Sequence, residues 1–265
     1  MAIYMWREYI PPELCFTANT AGSTVSLTKS WSPTSVTLET STDWSSWSTY
    51  TIWSTITLAN IGDKVWWRNA SETTTWFSTD TNNNYQFVMT WSIAWSWDIT
   101  SLLNKHLTLT LTNSGNSCFN SLFKDCSQLI SSPEIPATTL SDYCYNYMFW
   151  NCTWLIVPPS LPATTLWAYC YYQMFAGCTW LTSIPNLPAL ILKEYCYNLM
   201  FNYCSNIKMS STQTWIYQTA YRIPTTWTWT NASYALYDVF KNTWWTLTWW
   251  WLTINTTYYT SNEVV

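Results

Sequence analysis

The chain predicts a mixed α and β protein: an N-terminal antiparallel β-sandwich-like domain, then a solenoid of short helices and extended rungs with a C-terminal cap. Three observations predict it. Short runs rich in Val, Ile, Thr and aromatics follow one another from Leu14 to about Trp91, several of them alternating at period two. From Cys118 onward, pairs of cysteines recur every 26 residues. After Ile207 that period breaks. The resulting division is an N-terminal segment (1–13), a sandwich-like domain (14–97), the solenoid (98–207) and a degenerate repeat with cap (208–265).

In the first domain, LCFTANT, STVSLTK, SVTLETS, STYTI, STITLAN, DKVWWRN and YQFVMT are strand-like, separated by Asn, Asp, Ser and Pro at roughly ten-residue spacing. Their inward set is expected to be Val25, Leu27, Val36, Leu38, Ile56, Leu58, Val65, Phe87 and Val88. A junction follows from Ser92 to Asn116, with a helical turn at Ile99 to Leu103 and a short strand at LTLTL.

The repeat is strict. Cys118, Cys144, Cys170 and Cys196 lie 26 apart, Cys126, Cys152, Cys178 and Cys204 follow eight residues later, and Phe123, Phe149, Phe175 and Phe201 keep step. A fixed period of this size means stacked units, each burying its apolar face against its neighbours. Within one unit Cys170, Met174, Phe175 and Cys178 fall at i, i+4, i+5 and i+8, which predicts one face of a short helix. The following LTSIPNLP is extended, with prolines that remove backbone donors. ASYALYDVFKNT resembles a fifth unit, with Phe240 in the Phe slot and Ala235 and Thr243 replacing the cysteines.

Composition narrows the function classes. Ionisable residues are 9% of the chain, ten Lys+Arg against fourteen Asp+Glu, so there is neither a basic footprint for nucleic acid nor a polybasic membrane anchor. No apolar run is long enough to span a membrane. MAIYMWREYIPPEL shows no basic-then-apolar leader. That points to export by another route, to assembly inside a cell as a virion component, or to a leader absent from this chain.

Four Gly stand against 23 Trp, where an average chain of roughly 7% Gly would carry about 19. Trp also occupies turn positions suited to Gly, as in Asp43-Trp44 and Ser30-Trp31-Ser32-Pro33. Most of these are read as glycines encoded by UGA in a source that decodes this codon as Gly. The set includes Trp31, Trp44, Trp53, Trp76, Trp154, Trp167 and Trp180, but not Trp47. The alternative is a real aromatic surface for sugars or membranes.

At LPATTLWAYCYYQMFAGCTWLTSIPNLPA the chain resembles the BspA-like leucine-rich-repeat surface proteins, in which a CYxxMFxGC segment alternates with an LTxxPxLP rung. The resemblance covers roughly residues 117 to 207. It implies a leucine-rich-repeat-like solenoid, surface display and adhesion or host recognition, with no catalytic residue to carry over. The N-terminal stretches are similar to modules preceding such repeats in uncultured bacteria with recoded UGA and in their phages.

Little supports chemistry. His106 is the only histidine, which leaves no second imidazole for a relay or a histidine-rich metal site. No CxxC exists for zinc, and an eight-residue helical rise of roughly 12 Å would keep the two cysteines of a unit too far apart to bridge. The cysteines are therefore read as buried thiols. Acidic residues are scattered and no nucleotide motif occurs. Tyr145, Tyr171 and Tyr197 each follow the first cysteine of their unit, which makes them either core or a row that grips a partner.

The expectation is a non-enzymatic protein, displayed on a cell surface or a virion. It would use no cofactor or metal and would bind a host protein or glycan. A self-assembling particle or fibre component is the alternative, and a carbohydrate-active enzyme the third.

Overall fold

The structure, a computed structural model, describes residues 13–30, 36–70, 77–78, 82–96, 98–103, 117–222, 232, 234–245, 252 and 256–265. The N-terminal strands are β1 (Leu14–Ala18), β2 (Ser23–Lys29), β3 (Leu38–Ser41), β4 (Ser48–Thr49), β5 (Thr55–Leu58), β6 (Lys64–Asn69), β7 (Tyr85–Thr90) and β8 (Ile93–Ser96). They form a five-stranded sheet, β4-β3-β6-β1-β8, and a three-stranded sheet, β5-β2-β7. Alternation explains the faces: Val25, Leu27, Val65, Trp67 and Phe87 point inward and are fully buried. The two sheets meet through Phe16, Trp67 and Phe87, whose ring centroids lie 4.9 to 6.0 Å apart. Val88, expected inside, is 44% exposed, because its neighbour Phe87 takes the inward position. Strand β8 lies in the segment expected to be a junction. His106, Trp31, Trp76 and LTLTL fall outside the described residues.

The predicted helices are not there. Among the described residues the sole helical segment is a 3-10 turn at Ile99–Leu102, so the mixed α and β expectation is corrected to a β-rich chain without α-helices. Where helices were expected, the chain runs as a series of turns. In the unit starting at Tyr143, the N–H groups of Asn146, Met148, Trp150 and Cys152 each donate to the carbonyl three residues back, at 3.1 to 3.2 Å. The N–H groups between them point out of the coil. Tyr145, Tyr147, Phe149 and Asn151 donate to Cys170, Tyr172, Met174 and Ala176 of the next coil, at 2.8 to 3.0 Å. A helix would direct every N–H to the carbonyl four residues back. Here half of them tie one coil to the next, as strands do in a sheet.

Left-handed residues set this geometry. Tyr143, Tyr147 and Asn151 have φ of 56°, 54° and 58°, and the corresponding Tyr169, Gln173 and Gly177 have 58°, 50° and 80°. One such residue every fourth position prevents a helix from propagating. The buried apolar positions of the first coil, Cys118, Phe119, Leu122, Phe123 and Cys126, therefore repeat at four residues rather than 3.6.

Stacking produces continuous columns. Phe87 of the sandwich, Phe123, Phe149, Phe175, Phe201 and Phe240 lie ring on ring, with centroids 5.1 to 5.6 Å apart. The fifth coil thus closes the array as its Phe240 suggested. The sandwich and the coils share one spine.

All nine cysteines are buried and unpaired. The thiols of Cys152, Cys178 and Cys204 donate to the carbonyls of Phe123, Phe149 and Phe175, at 3.0 to 3.1 Å. No helical rise separates the two cysteines of a unit, and the thiols of Cys152, Cys178 and Cys204 stay unpaired with a buried carbonyl as partner. Burial pushes the Cys196 thiol up to about 12. Because the thiolate is the reactive form, iodoacetamide is expected to label few of these sites in native protein and most of them in denatured, unreduced protein. Labelling of several coil cysteines in native protein would contradict their burial.

Beyond the coils, β9 (Ser183–Ile184) pairs in parallel with the C-terminal β14 (Glu263–Val264), while β10 (Lys208–Ser210), β11 (Thr219–Arg222), β12 (Trp244–Trp245) and β13 (Thr257–Thr260) form a sheet of order β11-β13-β10-β12. Asn262 pins the tail by donating from Nδ2 to the carbonyls of Thr182 and Asn206.

At the other end Asp98 marks the joint between sandwich and coils. It bridges Glu134 of the first rung, the Ile99 N–H donates to the Glu134 carbonyl at 3.3 Å, and the Asp98 carboxylate accepts from Thr100 N and Oγ1 at 2.8 and 2.7 Å. Burial first, then the Glu134 charge, raises its carboxyl to about 6. A raised carboxyl stabilises the fold fully below its unfolded pKa of about 3.9, and that contribution is lost as pH rises through about 6. Asp98→Asn is therefore expected to gain on wild type by on the order of 2 kcal/mol between about pH 4 and pH 7. Urea midpoints across that window check this; parallel curves for the two proteins would refute it.

Candidate functional site

The structure places Tyr145, Tyr171 and Tyr197 inside. Their rings stack 5.7 to 5.8 Å apart and are 0 to 1% exposed, continuing from Phe119. The buried hydroxyls of Tyr145 and Tyr197 make no hydrogen bond. A partner cannot reach these rings in the folded chain. They belong to the core.

A different row of tyrosines reaches the surface. Tyr143, Tyr169, Tyr195 and Tyr234 open their coils and stack with centroids 4.6, 4.7 and 5.0 Å apart and planes within 14°. The first three are half-buried and Tyr234 is exposed. A second group lies beside them: Tyr172 sits edge-on to Tyr147 at 5.4 Å and within 5.7 Å of Tyr169, and Tyr237 is edge-on to Tyr234 at 5.6 Å. Seven tyrosines thus form one continuous face.

Each ring of the outer row is carried by a backbone that disfavours it. Tyr143, Tyr169, Tyr195 and Tyr234 have φ of 56°, 58°, 53° and 58°, a region that bulky side chains rarely adopt. Asp125, Asn151, Gly177, Tyr203 and Asn242 fill the left-handed slot eight residues later, all but Tyr203 as turn chemistry prefers. Ring stacking returns about 0.5–1.5 kcal/mol per pair, against a left-handed penalty of roughly 1–2 kcal/mol per residue. The fold itself gains little by choosing Tyr at these positions.

The electrostatics of the face are mild. Partial burial and the neighbouring Asp142 and Glu194 carboxylates hold the Tyr143 hydroxyl above its ordinary range, and burial, Tyr143 and Glu194 do the same for Tyr169. The phenols remain hydrogen-bond donors throughout the neutral range. Lys124 lies 5.9 Å from the Tyr147 ring centre, and Lys193 sits 5.7 Å from the ring of Trp167. Each of these cations rests over an aromatic surface.

Of the two readings open for Tyr145, Tyr171 and Tyr197, burial leaves the core; the outer row was not singled out in the sequence. The signal was present: Tyr143, Tyr169 and Tyr195 also recur at 26, and lie two residues before the buried row. Two residues apart is about 200° on a helix, so even the helical reading places this row opposite the Cys170, Met174, Phe175 and Cys178 face.

Among the described residues no group of three or more His, Cys, Asp or Glu side chains could hold a metal ion, and no helix is long and apolar enough to cross a membrane. Comparison with family models, curated proteins and solved structures finds no match to this chain.

Proposed function

We propose that this is a non-enzymatic recognition protein, displayed on a cell surface or a virion, which grips an extended partner along the tyrosine face of its coils. The observation that carries this reading is the outer row itself: four surface tyrosines kept in register at left-handed φ, where Asn or Gly would suit the backbone better. Backbone conformations held against preference concentrate at working surfaces. Tyrosine is also the residue that supplies large, rigid, amphipathic contact area at low entropic cost. The surrounding coils are tied by hydrogen bonds on both sides, so the face is preorganised.

The double substitution Tyr169→Asn with Tyr195→Asn tests it. Asn tolerates the left-handed region, so thermal stability is expected to hold or rise. Capture on arrays of extracellular proteins and glycans is expected to fall sharply relative to wild type. Unchanged capture by the double variant, or no capture by wild type, would overturn the reading.

A further inference from the structure

We infer that the row Tyr143, Tyr169, Tyr195 and Tyr234 is an oxidative modification site, where a peroxide-driven one-electron oxidant couples neighbouring tyrosines into dityrosine and staples their coils together. This goes beyond the recognition reading and is independent of it, since it needs no partner seated on the face.

Coupling requires two phenols that an oxidant can reach and that already lie ring against ring. Among the described residues three stacked aromatic columns run along the coils, and one meets both needs. The column of Phe123, Phe149, Phe175 and Phe201 carries no hydroxyl. The column of Tyr145, Tyr171 and Tyr197 is 0 to 1% exposed and closed to an enzyme. The outer row has phenols, reaches the surface, and holds successive ring centroids 4.6, 4.7 and 5.0 Å apart with planes within 14°. Its phenols also feel one another. After burial, the Tyr143 phenol is the next influence that holds the Tyr169 hydroxyl above its ordinary range, and the Tyr234 phenol plays that part for Tyr195. Parallel rings with neighbouring phenol oxygens bring together the ortho carbons beside those oxygens. Tyr147 and Tyr172, held edge to face at 85°, lack this overlap. Partners fixed in contact react ahead of partners that must diffuse together, so coupling within the row outruns coupling between molecules.

The chemistry balances with hydrogen peroxide. Each phenol gives up one electron and one proton, and the two phenoxyl radicals join through a new carbon–carbon bond between ortho positions. Each displaced ortho hydrogen then moves to its ring oxygen and restores the aromatic ring. The pair loses two hydrogens in all, and the peroxide takes them up to become two waters. A bond from Tyr143 to Tyr169, or from Tyr169 to Tyr195, spans 26 residues of chain. Such a closure removes freedom from the unfolded state, so stapled coils should resist unfolding.

The test treats the full chain with a haem peroxidase and hydrogen peroxide, reads dityrosine by its blue fluorescence, and maps the joined peptides by mass spectrometry. Fluorescence is expected to rise while the chain stays monomeric on denaturing gels, with the joined peptides drawn from the row. Tyr169→Phe combined with Tyr234→Phe keeps every ring of the stack but leaves no two adjacent phenols in it, so fluorescence should fall to background. Tyr203→Phe, at an exposed tyrosine outside the row, should leave the fluorescence unchanged. The urea midpoint of treated wild type should exceed that of untreated protein, and treatment should not shift the double variant. Cross-links chiefly between molecules, joined peptides from other tyrosines, undiminished fluorescence in the double variant, or an unmoved wild-type midpoint would overturn the inference.

Discussion

Replacing Phe175 by Ala is expected to cost about 3–5 kcal/mol, the range for emptying a large aromatic core site. Phe175 is fully buried and stacked on both sides, 5.6 Å from Phe149 and 5.6 Å from Phe201. Two further contacts depend on its position. Its N–H donates to the Met200 carbonyl and its carbonyl accepts the Cys204 thiol. Because each coil leans on the next, the loss should be felt along the whole array. Lys193→Ala is the control, since Lys193 is exposed and should change stability by under about 0.5 kcal/mol. Chemical denaturation of the two variants decides it, and equal small effects would mean that the aromatic spine is not the core.

The second large effect concerns tryptophan. Trp44, Trp53 and Trp91 have φ of 63°, 75° and 63°, and Trp53 and Trp91 are 62% and 61% exposed, so burial does not offset the strain. Asp43 builds the turn at Trp44 by accepting from Ser45 N and Ser46 N at 2.9 and 2.7 Å, an arrangement suited to Asp-Gly. Glycine at each of the three is expected to stabilise by about 1–2 kcal/mol, with near additivity for well-separated sites. Trp47 differs: the Arg68 guanidinium lies 3.9 Å over its ring, so Trp47→Gly should destabilise. The coding DNA gives the companion test. UGA is expected at Trp31, Trp44, Trp53, Trp76, Trp154, Trp167 and Trp180 and UGG at Trp47. UGG at those seven codons would end the recoding account and return these rings to the binding surface.

The strands of the sandwich were legible because turn residues and period-two alternation act locally, and seven of them fall where the sequence put them. Strand β8 was not, since IAWS is only four residues long and gains its place by pairing with β1. The repeat was legible as a period but not as a conformation. Cys170, Met174, Phe175 and Cys178 fit a helix face over one unit, and they fit a chain of four-residue turns equally well. What separates the two is register over the full length, which stays at four, and the Asp125, Asn151 and Gly177 slot, which marks a left-handed residue. The surface tyrosines were legible under either conformation, since residues two apart point in nearly opposite directions on a helix as well; what drew attention away from them was the strict register of Tyr145, Tyr171 and Tyr197 with the cysteines.

Scalar couplings across hydrogen bonds, measured by NMR on the labelled full chain, test most directly whether the repeats are stacked coils of turns. The structure predicts couplings from the amide nitrogens of Tyr145, Tyr147 and Phe149 to the carbonyl carbons of Cys170, Tyr172 and Met174 in the next coil. Couplings from those same nitrogens to the carbonyls four residues earlier, Ser141, Tyr143 and Tyr145, would make the segment a helix and contradict the fold, and with it the stacking of the tyrosine row.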